Sequence, residues 1–316
     1  MAVKEKKKSG FKTSIGGQAL IEGIMMQGPR KRAIVCRGTD KHVVKVEDIT
    51  PPKEKNPVLG WPLIRGVVGF FSSMVNGVKA ISFSAEQVPD EEYGEPDKID
   101  LWIEEHFSDE TAQKLIIGVA VVLGIGLSLL LFLFLPTFLV GLIPGLKTSY
   151  YWRAVAEGIL KLVIFFVYLI LCSKMKDMRR VFSYHGAEHK TIFCYEKGLP
   201  LTVENVRPQP RLHPRCGTSF LFVVIIISII VGLFIRIPST LGRIGLRLLI
   251  LPVIVGVTYE LNRWVGRHDN ALSAVLSWPG KQLQRITTNE PDDEMIECAI
   301  EALKLVIPEE EGSDAW

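Results

Sequence analysis

Apolar and charged positions are sharply segregated along this chain. Residues 115–143 form a run of 29 without a formal charge, bounded by Lys114 and Lys147. A helix needs about 20 such residues to cross a bilayer core, so this run is long enough to tilt, and Pro136 predicts a kink in it. A second run, 154–173, lies between Arg153 and Lys174. It contains Glu157 and Lys161, whose i,i+4 spacing lets them pair on one helix face. A third, 218–235, ends at Arg236. The fourth, 248–259, is short, contains Pro252 and stops at Glu260; a re-entrant segment is its alternative reading.

Residues 58–84 have helical periodicity, with Leu63, Val67, Phe70, Met74, Val78 and Ile81 on one side. Gly66, Gly69, Ser73 and Gly77 form a small-residue stripe that admits a close neighbour in a bilayer. An amphipathic helix lying on the membrane fits the same pattern. Upstream, residues 33–37 and 42–46 alternate as strands and predict a hairpin. Gly16-Gly17 and Gly28-Pro29 predict turns. Residues 86–110 hold 11 acids and one lysine and predict a solvated linker. Residues 292–307 repeat as a helix with acids at its start, where the dipole favours them, and 309–316 predicts a frayed tail.

The predicted fold is mainly α: a polytopic membrane protein with about four transmembrane helices, an amphipathic or re-entrant helix, and a small β-containing module. The expected organisation is an N-terminal module with the hairpin at 1–57, the amphipathic helix at 58–85 and an acidic linker at 86–113. A transmembrane domain at 114–264 and a C-terminal segment at 265–316 complete it.

Charge orients these elements. Loop 174–217 carries nine Lys/Arg, against two in 144–153 and three in 236–247. The positive-inside tendency therefore puts that loop, and with an even number of spans both termini, in the cytoplasm. Five widely spaced cysteines without a C-x-x-C argue for reduced thiols there. No cleavable signal peptide is expected behind the lysine-rich start. A net charge of +3 does not imply sequence-specific nucleic-acid binding.

Candidate chemistry concentrates in the same loop. In Tyr184-His-Gly-Ala-Glu-His-Lys190, His185 and His189 are four apart, so a helix projects both from one face toward a single zinc ion. Glu188 completes H-x-x-E-H, in which the carboxylate serves as general base toward water activated by the metal. A helix-capping or hydrogen-bonding cluster is the plainer reading. Downstream, His213 and Cys216 offer a third and fourth ligand, with Arg211 and Arg215 beside the thiol. The plainer reading of this cluster is a cap on the next helix that contacts lipid phosphate. Four ligands make a closed structural site; three leave a position open. Glu260 is a distant candidate ligand, or a partner for Arg263 or Arg267. Glu22, set among apolar neighbours, needs a partner such as Arg30 or Arg32. Met25-Met26 reads as core filler, and His268-Asp269 as a surface pair.

The chain has no P-loop, no G-x-G-x-x-G behind a strand and no G-x-S-x-G elbow, which removes support for nucleotide-driven transport and serine hydrolysis. Few ionisable groups sit in the apolar runs, which weakens a proton-coupled transporter.

Four stretches together carry a family resemblance: residues 16–29, the 184–190 string, His213-Pro-Arg-Cys-Gly-Thr-Ser219, and residues 278–291 from Trp278-Pro-Gly to Asn289-Glu-Pro291. They resemble the DUF1385 family of bacterial membrane proteins over nearly the whole chain. The resemblance implies an inner-membrane protein and a predicted metal-dependent enzyme, with no reaction attached. Two functions follow as expectations. One is a membrane-embedded zinc hydrolase with His185, His189 and His213 as ligands, Glu188 as base, and Cys216 or Glu260 completing the site. The other is a non-enzymatic accessory protein that docks on a membrane complex such as the protein-translocation channel, or on a membrane-bound ribosome.

Overall fold

The computed structural model describes residues 11–38, 41–87, 109–146, 149–268, 270–310 and 312–316. Most of the acidic linker, 88–108, lies outside the described residues. The chain divides into two compact units, Met1–Val88 with Leu169–Val224 and Pro252–Trp316, and Pro89–Tyr168 with Ile225–Leu251.

The first unit is built on an antiparallel sheet in the order β1-β2-β3-β4: Gly16–Leu20, Gly23–Gln27, Lys31–Arg37 and His42–Asp48. The predicted hairpin is β3–β4, with Arg37 opposite His42. Gly28-Pro29 does turn, but Gly16-Gly17 does not; it opens β1. Two hairpins therefore precede the predicted one, and Glu22 makes the first turn in the left-handed region at φ 47°. The Glu22 carboxylate is held by Arg180, with Arg37 3.9 Å away; Arg30 and Arg32 pair instead with Glu54 and Glu47.

Eight principal helices are described: α1 Ile64–Ala85, α2 Asp109–Leu129, α3 Tyr150–Lys174, α4 Lys176–Glu196, α5 Gly217–Gly232, α6 Thr240–Arg267, α7 Ala271–Thr287 and α8 Asp293–Val306. Strict alternation gives the sheet two apolar faces. Ile24, Met26, Ala33 and Val35 pack with Tyr184 and Ala187 of α4 and Ile296, Ala299 and Leu303 of α8. Leu20, Met25, Ile34 and Cys36 pack with Ala80 and Phe83 of α1. Met25 and Met26 are thus core residues. The C-terminal tail is not frayed: Thr13 bridges Ala315, and Trp316 N–H donates to the Lys12 carbonyl.

Four helices are long and apolar enough to cross a membrane: α1, α2 with its continuation to Gly141, α3 and α6. They differ in part from the four apolar runs. The third run yields only the 16-residue α5, while the fourth extends to the 28-residue α6. Ahead of Pro136 the α2 helix relaxes through a π-helical turn, Leu130–Phe134, before Leu135–Gly141. Such a bulge absorbs the amide that proline lacks. The small-residue stripe of α1 is used at two places. A Cβ on Gly66 would lie 2.6 Å from Tyr259 Cβ on α6, and one on Gly77 would lie 2.7 Å from the Gln18 side chain on β1.

Candidate metal centre

Helix α4 carries an unusual buried stretch: Glu188, His189, Lys190 and Thr191 are all inside. Polar side chains are buried when partners compensate them. Lys190 Nζ donates to the Arg207 carbonyl (2.8 Å) and pairs with Glu290 (2.6 Å); Thr191 donates to the Ala187 carbonyl. The remaining two face the loop at 211–218.

The i,i+4 spacing brings the imidazoles of His185 and His189 together edge to face, with centroids 4.4 Å apart. Each ring is fixed through Nδ1. His185 Nδ1–H donates to the Thr287 carbonyl (2.8 Å), and His189 Nδ1–H to the Arg211 carbonyl (2.5 Å). A carbonyl only accepts, so both rings carry a proton on Nδ1; Nε2 of His189 is left free, and Nε2 of His185 faces the Cys216 sulfur. Carbonyls orient metal-binding histidines in the same way. Opposite them lies Cys216, with Sγ 3.1 Å from His185 Nε2. The ligand-type atoms of His185, His189 and Cys216 all lie within 4.8 Å of one another.

His189 Nε2 is buried and has no hydrogen-bond partner among the described residues. A lone pair left bare in the interior is costly; a divalent ion between the two imidazoles and the thiol would use it. The donor set of two imidazole nitrogens and one thiolate suits zinc and leaves a fourth position for substrate or water.

Electrostatics prepare the ligands. Burial alone would raise the Cys216 thiol, but His185 and His189 outweigh it and hold it well below its ordinary value. Thr218 N–H, in the first turn of α5, also points at the sulfur (3.4 Å). Burial alone would lower His185, yet the facing thiolate raises it to about 9. The Glu188 carboxyl is pushed up by burial, and its two histidine neighbours only partly reverse that. The Gly17 amide donates to Glu188 Oε1 (2.9 Å). A Cβ at Gly17 would lie 3.0 Å from Glu188 Cδ and 2.7 Å from the Met25 carbonyl, so this close approach of β1 to α4 requires glycine.

Two expected ligands lie elsewhere. Nε2 of His213 faces Glu196 at 3.9 Å and Arg215 at 3.4 Å, its ring packs on Phe193, and burial depresses it to about 4. It walls the site as a neutral ring, 5.5 Å between centroids from His189. Glu260 pairs with Arg65 and accepts from the Leu63 amide, pinning the start of α1 to α6. Arg211 and Arg215 do not serve the thiol as expected. Arg215 pairs with Glu196 and lies over the Trp316 ring, and Arg211 lies 3.9 Å from Glu290. His268 stacks on Trp264, and Asp269 lies outside the described residues.

The sequence reading missed the supports. Gln284 accepts from the His213 amide and donates to the His213 carbonyl, both at 2.7 Å, and so clamps the loop that carries Arg211 and Cys216. The link after α7 crosses α4 at Gly186, where a Cβ would collide with the Asn289 carbonyl. That crossing delivers Thr287 to His185. His185, Glu188, His189, His213, Arg215 and Cys216 border one cavity of about 560 Å³, lined on its other sides by β1, by Ser73 and Asn76 of α1, and by Trp316.

A family profile described as "Protein of unknown function (DUF1385)" matches residues 61–309. The chain belongs to the DUF1385 family. The DUF1385 match takes in His185, Glu188, His189, Cys216 and Thr287, and begins after the sheet that supplies Gly17. A curated relative, "Uncharacterized protein YqhQ" of Bacillus subtilis (strain 168), is 34% identical over 294 residues, covering 91% of this chain and 90% of its own. No solved structure matches this DUF1385 chain.

Proposed function

We propose that this protein is a metal-dependent hydrolase resident in a bacterial inner membrane, with zinc as the metal. His185 Nε2, His189 Nε2 and Cys216 Sγ hold the ion. The observation that carries the reading is the bare, buried Nε2 of His189 beside a thiol and a second oriented imidazole. When bound, such an ion supplies Lewis acidity, which acidifies water and polarises a carbonyl or phosphoryl oxygen. Glu188 is the base: Gly17 holds Oε1, no described donor engages the other oxygen, and burial raises its affinity for a proton. The neutral His213 and the surrounding cavity wall limit bulk water around the reacting atoms.

The Cys216–His185 pair alone resembles a nucleophilic dyad. A dyad leaves the second imidazole without a task, so His189 favours the metal. The orientation we infer takes α2, α3, α5 and α6 as the four crossings and leaves α1 against the sheet through Ala80 and Phe83, which puts loop 174–217, the cavity and both termini in the cytoplasm. The accessory reading, docking on a protein-translocation channel or a ribosome, draws support from Val44 and Val46, exposed on the edge strand β4. Cross-linking in native membranes should then yield one dominant partner through β4; lipid and self-contacts alone would remove that reading.

The decisive measurement is elemental analysis of full-length protein purified without chelators. About one metal per chain is expected, with loss in His185→Ala, His189→Ala and Cys216→Ser. Wild-type protein free of metal under those conditions overturns the proposal.

A further inference from the structure

The second unit buries a charge cluster that the metal centre does not use. Three arginines converge on one carboxylate. Arg153 Nε donates to Glu157 Oε1 (3.2 Å), and Arg243 and Arg247 both donate to Oε2 (3.0 and 2.5 Å). Lys161, one turn beyond Glu157, donates to Ser228 Oγ (3.2 Å) in place of the expected pairing with Glu157 alone. Arg247 also reaches Thr137 Oγ1 (2.6 Å), and Arg153 reaches Thr240 Oγ1 (3.4 Å). Arg243 is wholly buried, and Glu157 is 1% exposed.

Four cationic side chains thus share one acid inside a bundle of apolar helices. Arginine keeps its proton under any ordinary condition, so the excess charge cannot be shed by titration of the guanidinium groups. Unpaired charge in such surroundings is strongly unfavourable. Nε and Nη1 of Arg243 and Nε of Arg247 are buried without any acceptor among the described residues. Glu157 has only two oxygens, and both are already taken. The unpartnered guanidinium N–H groups are thus free to donate to a further anion.

Position suggests its chemistry. Arg153 is the fourth residue of α3, and Arg243 and Arg247 are the fourth and eighth of α6. At 1.5 Å per residue they lie about 5–11 Å from the starts of two helices, the depth at which head groups meet acyl chains. The positive ends of both helix dipoles lie at the same level. Guanidinium forks match the oxygens of a tetrahedral phosphate.

We propose that Arg153, Arg243 and Arg247, with Lys161, bind a phosphate group, as a lipid head-group diester or as free phosphate. The proposal does not depend on the metal centre. Its test uses the full chain in neutral detergent, with native mass spectrometry and thermal unfolding. The probes are phosphatidylglycerol, phosphatidylcholine and inorganic phosphate. Phosphatidylglycerol should give a one-to-one adduct and raise Tm by several degrees, and Arg243→Gln and Arg247→Gln should lose at least tenfold in adduct affinity. An equal effect of inorganic phosphate assigns the free anion, and an equal effect of phosphatidylcholine assigns the phosphodiester whatever its head group. Glu157→Gln, which removes the competing carboxylate, should tighten the adduct, whereas a purely structural ion-pair cluster would show no gain. Should the glutamine variants fail to fold, Arg243→Lys should bind more weakly than wild type. Wild-type protein that ignores all three probes, or adducts of undiminished affinity in the arginine variants, would overturn the assignment.

Discussion

Zinc should stabilise the wild-type chain and leave His189→Ala indifferent. Tetrahedral bonds of 2.3 Å to sulfur and 2.0–2.1 Å to nitrogen place the two donor atoms about 3.5 Å apart. Sγ of Cys216 and Nε2 of His185 are 3.1 Å apart. Seating the ion therefore asks for an opening of a few tenths of an ångström, with both rings already held through Nδ1 by main-chain carbonyls. Little reorganisation opposes binding, so most of the binding free energy should appear as stability. At free zinc about 100-fold above Kd the linkage contributes about 2.7 kcal/mol. At roughly 2–4 °C per kcal/mol, Tm should rise by about 5–10 °C. In His189→Ala the buried unsatisfied nitrogen is gone, which offsets part of the lost packing by about 1–3 kcal/mol. The metal-free forms should therefore differ less than the zinc-loaded forms do. The assay is thermal unfolding by tryptophan fluorescence after chelator treatment, titrated with zinc. A wild-type Tm that does not move at saturating zinc, or an equal rise in the variant, would refute this account.

Gly186→Ala should push the Asn289 carbonyl away and loosen the Thr287 contact to His185. A loss of about 1–3 kcal/mol in stability is expected from overpacking, together with weaker zinc binding in a competition assay; unchanged zinc affinity would separate the link from the site. Glu260→Gln should break the tie to Arg65 yet keep the metal-to-protein ratio of wild type, since Glu260 lies outside the ligand group; loss of metal would restore it as a ligand. His213 has its folded pKa depressed to about 4 from 6.5, so the unfolded chain takes up the proton first. Its contribution is present above pH 6.5 and is lost as pH falls toward 4, on the order of 3 kcal/mol in all. Denaturant unfolding of His213→Leu should show a shallower loss between pH 7 and pH 5 than wild type, and parallel curves would contradict the burial argument.

How much of this was legible in the sequence depends on the range of the signal. The H-x-x-E-H string is local, and helical spacing alone puts its side chains on one face. Cys216 was legible as a ligand type near a helix start. The Thr287 and Arg211 carbonyls were not, because every residue has one and nothing in the side chain marks those that matter. Glu260 was misplaced because its partner, Arg65, lies 195 residues away. Charge-bounded runs found most of the long apolar helices but misjudged α6, since Arg243 and Arg247 are buried against Glu157 and do not end the helix. Gly16-Gly17 looked like a turn because glycine is common in turns. Its use in β1 answers to a carboxylate 171 residues away.

Trp316 lines the cavity beneath Arg215, and Asp314, two residues before it, accepts from Thr13 and from Tyr195. Residues near both extremities therefore meet at one place. During synthesis the two histidines leave the ribosome long before residues 314–316 do, so the pocket is completed well after its imidazoles emerge. A nascent chain stalled short of Asp314 exposes its imidazoles and thiol without the enclosure, and any ion it captures is held in an open, exchangeable setting.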